Sequence, residues 1–248
     1  MSAREKANEA LLPKIVEIHK QSRKTYGSPR ITNELRQQGE HCGKHRVARL
    51  MRENNVVSKM TKRFRKHSHR HYLMKMPPNA LLDRAPVSQI NEVWVSDVTY
   101  IRVGKRWNFL CTVMDLYSRE IIGWSFSRHC NAQLAKEALL IALQDHTPIE
   151  GAIFHTDQGR EFANKVVVSV LERHHFTISK SRKGWCWDNA TMESFYHTLK
   201  TEMVYFHQFK SLAEATAYVM DYIHFYNYDR LHSSLGYQSP INYRLQAA

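Results

Sequence analysis

No run of 18 apolar residues, the length a helix needs to cross a bilayer, occurs in this 248-residue chain. Its opening, MSAREKANEA, is polar and charged, unlike the apolar stretch of a secretory signal. These absences predict a soluble, cytoplasmic protein with no membrane partner. Cysteine is sparse as well: Cys42, Cys111, Cys130 and Cys186 are scattered without C-x-x-C spacing. That excludes a disulfide framework and a cysteine zinc site, and leaves reduced core or turn residues. Acid is scarce in the first third. Residues 1–85 hold 20 of the 36 Lys and Arg but only 7 of the 23 Asp and Glu, which leaves 16 of each beyond. The whole net charge of +13 therefore lies in those residues. A basic module joined to a neutral one points to one part that holds a polyanion and another that does chemistry on it. The rival reading is a solvated amino-terminal face with no ligand.

Leu11, Ile15 and Ile18 have helical spacing over residues 11–25, with Pro13 placed near the expected helix start, where proline is tolerated. YGSPR breaks the chain, Ile31 and Leu35 resume the period as far as Gly39, and KHRVARLMRENN follows. Two short helices across a tight turn predict a helix-turn-helix module over residues 1–58. In its second helix Val47, Leu50 and Met51 share a packing face, while Arg46 and Arg49 fall with Glu53 on the other and face DNA. A three-helix bundle with those arginines merely in solvent is the alternative. Residues 59–75 carry seven Lys and Arg and no acid, and Pro-punctuated MPPNALLDRAP follows. This basic linker, 59–86, is suited to tracking phosphates through Lys62, Arg63, Arg65 and Lys66. Phe64 and Tyr72 either stack on bases or dock on the next domain. His67, His69 and His71 extend the same basic surface rather than bind zinc.

From residue 90 the pattern turns to strands: EVWVSDVTYI, RWNFLCTVMDLYS and EIIGWSFS. A helix NAQLAKEALLIALQDH, a strand GAIFHT, an amphipathic REFANKVVVSVLERHH, a strand FTIS and helical stretches 188–204 and 211–228 complete the chain. This order predicts an α/β fold, an RNase H-like mixed sheet with flanking helices over residues 87–248. The first and fourth strands are neighbours in such a sheet, so Asp97 and Asp157 can share ligands. Glu193 arrives from a helix capped by Asp188 or Asn189. Three converged carboxylates repel one another unless cations neutralise them, and two Mg²⁺ ions about 3.5–4 Å apart would suit in-line attack on a phosphodiester, with Mn²⁺ able to substitute. Asp115, four residues before Arg119, fits a turn hydrogen bond or ion pair better than a metal site. Lys200 lies two helical turns after Glu193 on one face, with Tyr196 beside it, where a cation can hold end phosphates. His155, Gln158 and Asn189 either orient substrate or make structural hydrogen bonds. Trp185 and Trp187 either stack on unpaired end nucleotides or pack in the core. Arg230 and His232 read as fold-closing before DNA-contacting.

At WVSDVTYI, FHTDQGREF, SRKGWCWDNATMESFYHTLKTE and YNYDRLHSSLGYQSPINY, in that order, nearly the whole chain resembles the catalytic subunit of insertion-sequence-three family transposases. This is the second-reading-frame product, and its core is of the retroviral integrase type. The resemblance implies a DDE transposase that uses Asp97, Asp157 and Glu193 as catalytic and metal-binding residues, cleaves DNA and joins the freed 3′-OH to a target. It implies terminal inverted repeats and target DNA as partners, a homo-oligomer in a synaptic complex, a nucleoid-associated location and an upstream reading-frame product as a further partner. The tryptophans beside Cys186 depart from the family, which more often has small or polar residues there. Two rival functions stand beside this one. A nuclease of RNase H type would hydrolyse without joining, and a catalytically silent DNA-binding regulator would have no reason to keep the three carboxylates.

Overall fold

The computed structural model describes residues 2–59, 79–81, 85–181 and 189–247, which fall into two units, 1–66 with 229–238 and 67–228 with 239–248. In the first unit, helix α1 (Ala3–Gln21) begins well before residue 11 because Ser2 and Glu5 form a reciprocal capping box. Pro13 is therefore inside the helix, where the lost backbone hydrogen bond costs about 3 kcal/mol. Burial of Leu11, Ile15 and Ile18, each contributing roughly 1.5–3 kcal/mol, offsets it. Helices α2 (Ser28–Gln37) and α3 (Lys44–Glu53) close the core with Ile31, Leu35, Val47, Leu50 and Met51. Gly39, at φ 85°, ends α2 in the left-handed conformation that glycine adopts without strain.

Residues 229–238, which the sequence pattern assigns to the catalytic domain, pack in this first unit instead. Tyr26 Oη donates to the Asp229 carbonyl (3.1 Å) and accepts from the Leu231 amide (2.7 Å), and Arg30 Nε donates to the Leu231 carbonyl (2.8 Å). Leu231 joins the helical core, and Arg230 and His232 are buried, in keeping with a fold-closing role.

The second unit is built on a five-stranded sheet in the order β3-β2-β1-β4-β5, from β1 (Val93–Val103), β2 (Arg106–Asp115), β3 (Ile121–Ser127), β4 (Ile153–Thr156) and β5 (Thr177–Lys180). The first three strands form an antiparallel meander, and β1, β4 and β5 run parallel. This is the RNase H-like arrangement. Alternation along β1 sends Trp94 to one face, where Phe154 and Cys111 meet α4 (Ala132–Asp145) and α5 (Lys165–Arg173). Val93 and Val95 go to the other, against Met192, Phe195 and Leu199 of α6 (Ala190–Glu202) and Val219, Tyr222 and Ile223 of α7 (Leu212–Tyr228). Helix α8 (Pro240–Ala247) ends the described chain. Gly123 lets α4 lie directly on β3: a Cβ there would collide with the Ala138 carbonyl and stand 2.8 Å from the Ala142 amide nitrogen. Cys42, Cys111 and Cys130 are free thiols.

Tyr26→Phe would leave the Leu231 amide buried without an acceptor, so urea unfolding of the full chain should show a loss of about 1–3 kcal/mol. Unchanged stability would mean that this hydroxyl does not hold the 229–238 segment.

Candidate active site

The ladder between β1 and β4 ends at the pair Ser96–Thr156, and the next residue of each strand is an aspartate, Asp97 and Asp157. Parallel neighbours lie about 4.8 Å apart, so the register itself sets two carboxylates side by side. The Asp97 carboxyl is pushed well above the usual carboxylate range, first by burial, then by the charge of Asp157, with Glu161 and Glu193 adding to it. The Val98 amide donates to Asp97 Oδ1 at 2.8 Å and works the other way. Glu193, exposed on the first turn of α6, thus lies within the electrostatic neighbourhood of Asp97. Oxygen donors that repel one another suit a hard divalent cation. Among the described residues no three His, Cys, Asp or Glu side chains are grouped closely enough to hold a metal ion.

Two charged residues without a counterpart in the sequence analysis belong to this neighbourhood. Glu161 folds back over Gly159 toward Asp157, so that a Cβ on Gly159 would clash with Glu161 Oε1 and lie 2.9 Å from Asp157 Oδ1. The Gly159 amide donates to that same Asp157 oxygen at 2.8 Å. Burial raises the Glu161 carboxyl, the charge of Asp157 adds to this, and Lys180 opposes it. Lys180, at the end of β5, is buried with no hydrogen-bond partner on Nζ among the described residues, and Nζ stands 5.9 Å from the Phe162 ring. Burial lowers its pKa, and the charges of Asp157 and Glu161 hold its proton on. The available signal is the four-residue spacing from Asp157 to Glu161 across a glycine turn; Lys180 gives none, since it closes a short apolar strand.

Lys200 is half-buried on α6, with Nζ 4.5 Å from the Tyr100 ring centroid; burial lowers its pKa and the Asp97 charge raises it. Tyr196 does not share an exposed face with Glu193 and Lys200, as its spacing suggests. It is buried, donates from Oη to the Asp97 carbonyl at 2.5 Å and shares a 2.8 Å hydrogen bond with Thr112. Its position falls toward the apolar stripe of Met192, Phe195 and Leu199, and the sheet takes it up. His155 is buried between Ser179 Oγ (Nδ1, 2.8 Å) and Ser181 Oγ (Nε2, 3.0 Å), and Gln158 donates to the Ser181 carbonyl at 3.1 Å. Both make structural hydrogen bonds here. Asn189 is buried at the start of α6 without making a side-chain cap, its Oδ1 lacking a partner. Asp115 accepts from the Asn91 amide and from the Ser118 amide and hydroxyl at 2.7–2.8 Å, a turn role.

In the first unit, Arg46 and Arg49 are half-buried rather than free on an outer face. Arg46 Nε donates to Asn8 Oδ1 at 2.8 Å because α1 packs beside α3, and Arg49 Nε lies 3.8 Å from Glu53 one turn on in α3 itself. Lys44, His45 and Arg52 are the exposed basic side chains of α3. Lys62, Arg63, Phe64, Arg65, Lys66, Tyr72, Trp185, Cys186, Trp187 and Asp188 lie outside the described residues.

The family description "Integrase core domain" matches residues 87–207, with a second match of that description over 193–247, and "HTH-like domain" matches residues 6–64. Over 220 residues the chain is 38% identical to Transposase InsF for insertion sequence IS3A of Escherichia coli (strain K12), covering 88% of this chain and 76% of that protein. It is 34% identical over 244 residues to the insertion element IS600 uncharacterized 31 kDa protein of Shigella sonnei, covering 98% and 90%. Among solved structures, the catalytic core domain of BIV integrase superposes with a TM-score of 0.50 at 16% identity, over 63% of this chain and 95% of that one. The simian T-cell lymphotropic virus intasome gives 0.55 at 12% identity, over 93% and 74%. At such identities these two speak for the fold alone.

The raised Asp97 carboxyl fixes the sign of a pH effect. The folded state binds this proton more tightly than the unfolded chain, so the stability it contributes is present at low pH and lost as pH rises through the folded value. In metal-free buffer at pH 8, Asp97→Asn should therefore melt above wild type, by about 2–4 °C for each kcal/mol of charge strain relieved. The gap should close as acid protonates the wild-type carboxyl. A variant that melts lower at pH 8 would contradict the reading of Asp97 as a charge under repulsion.

Proposed function

Since the chain belongs to the insertion-sequence-three (IS3) family of transposases, we propose that Asp97, Asp157 and Glu193 are the carboxylates with which it cleaves DNA at the element's ends and joins them to a target. The observation that supports the assignment is the strand register, which ends the β1–β4 ladder in two adjacent aspartates, with the charge of Glu193 on α6 acting on Asp97. In the first step water attacks a phosphodiester at the transposon end; a new P–O bond forms, the old P–O3′ bond breaks, and the leaving 3′ oxygen takes a proton. The freed 3′-OH then attacks a target phosphodiester in the same way. Asp97 and Asp157 would hold the divalent cations with Glu193, two Mg²⁺ with Mn²⁺ as substitute. When bound, such ions activate the attacking oxygen and neutralise the departing one.

The chain's own residues prepare this chemistry. Tyr196 pins the backbone at Asp97, so the carboxylate stays put when α6 carries Glu193 against substrate. Lys200 presents a cation beside Asp97 for the phosphate next to the cut. Lys180 offsets the charge of Asp157 and Glu161 from the opposite strand, a positioning role. Residues 1–58 and the basic linker 59–86 bind the terminal inverted repeats, with Lys44 and Arg52 better placed than Arg46 and Arg49 to reach phosphates. Synapsis of two ends requires at least two copies of the chain, and the upstream reading-frame product is a further partner. No described helix is long and apolar enough to cross a membrane. The cytoplasm, on the nucleoid, is the place where such an enzyme meets its substrate.

Asp157→Asn and Glu193→Gln, assayed with Mg²⁺ and labelled duplexes carrying the element's ends, should each lose at least about a hundredfold in nicking and joining while still binding DNA. Wild-type-like cleavage by either variant removes that residue from the site, and nicking without joining by the wild type returns the hydrolase reading. Replacing Lys62, Arg63, Arg65 and Lys66 together by Gln should flatten the salt dependence of duplex binding by up to about 3–4 units of log–log slope, near 0.9 for each phosphate that a side chain no longer neutralises. An unchanged slope would take the linker off the DNA.

A further inference from the structure

Past Ser96, β1 has no ladder partner on the β4 side among the described residues until an isolated bridge joins Val103 to Phe209. That stretch begins at Asp97. Three residues on, about 10 Å by strand rise, is Tyr100, with Lys200 Nζ seated 4.5 Å from its ring centroid. Trp107, from β2, meets Tyr100 edge to face at 5.0 Å and 86°. Trp107 is 55% exposed, although an indole is among the side chains that gain most from leaving water. Its setting is basic: Arg102, its cross-strand partner, with Lys105 and Arg106, is exposed around it, and residues 98–114 contain no Asp or Glu. An aromatic pair flanked by cations, on an acid-free hairpin, complements the two surfaces of a nucleic-acid strand, its base faces and its phosphates. Lys200 links the ring to the carboxylate: its Nζ lies by Tyr100, and the charge of Asp97 acts on it.

From this placement we propose that Tyr100 and Trp107 form a stacking platform for unpaired nucleotides adjoining the phosphate held at Asp97 and Lys200. In an intact duplex each base face is covered by its neighbours, so the platform selects a frayed or single-stranded extension at the DNA end. The proposal rests on the transposase reading and adds a base-binding subsite to it. A second copy of this chain is the less favoured occupant, because two such hairpins would oppose like charges.

The test uses the full chain and two duplexes, one blunt and one with a three-nucleotide single-stranded 5′ extension, each carrying 2-aminopurine at its end. Wild type should quench the fluorescence of the extended duplex and bind it more tightly than the blunt one. Trp107→Ala should lose most of the quenching and bind the extended duplex about tenfold more weakly, with blunt-duplex affinity unchanged, while Trp107→Phe keeps both properties. Because the indole is exposed, an unchanged melting temperature will certify the fold of the Ala variant. Absence of quenching by wild type, or equal affinity of Trp107→Ala for the extended duplex, overturns the platform. So does a Trp107→Ala variant that changes only its sedimentation, which would make the hairpin a contact between copies of the chain. End nicking by wild type reports separately on the transposase reading: nicking without quenching sinks the platform alone, and quenching without nicking sinks the transposase reading alone.

Discussion

The parallel pairing of β1 with β4 is the constraint on which the rest of the site depends. A one-residue slip of that ladder would send Asp97 or Asp157 to the opposite face of the sheet, and would also swap Val95 with Ser96 in the core. The apolar residues of β1 therefore fix the position of the carboxylate: Trp94 locks one face against Phe176, and Val93 and Val95 lock the other. Burial of those side chains, at roughly 1.5–3 kcal/mol each, supplies the free energy that holds two like charges at neighbouring strand ends.

Helix α6 joins this frame through the Tyr196 hydroxyl in an apolar seam, with Arg119 donating to Thr191 at its first turn. Tyr196 reaches the Asp97 carbonyl and Thr112, so the helix bearing Glu193 and Lys200 is registered to Asp97 itself. Met192, Phe195 and Leu199 bury the same helix stripe. Glu193 and Lys200 are left on the remaining arc, as a 3.6-residue period requires for positions seven apart.

The order of strands and helices and the placement of Asp97 and Asp157 at neighbouring strand positions are legible in the sequence because each leaves a local trace: a two-residue period, a 3.6-residue period, or an acid where an apolar strand ends. What escapes has no local trace. Residues 229–238 find their partner, Tyr26, some two hundred positions away, and Leu231 alone makes no periodic signal. Tyr196 is misplaced by its spacing because a helical period gives an angular sector but not the boundary between buried and exposed, which the width of the sheet decides. The start of α1 is hidden because the apolar stripe begins later than the capping box. Arg46 looks outward when α3 is taken by itself, whereas its orientation depends on Asn8 of α1, which packs beside it.

Lys180 and Lys200 change the charge arithmetic of the site. With Asp97, Asp157, Glu161 and Glu193 ionised and both lysines protonated, four negative charges meet two positive ones and leave −2. At an effective dielectric of about 20, each unit pair 4 Å apart is worth about 4 kcal/mol, so four uncompensated carboxylates would strain the ladder that carries two of them. The lysines halve that burden without closing the site to cations. Two divalent ions would turn the balance to +2. A phosphodiester and a deprotonated attacking oxygen would bring one negative charge each, so the proposed site with both ions would be neutral as the new P–O bond began to form. Without the lysines the same ions would reach neutrality before substrate arrived, and the pull on the second negative charge, the one that develops during reaction, would be lost.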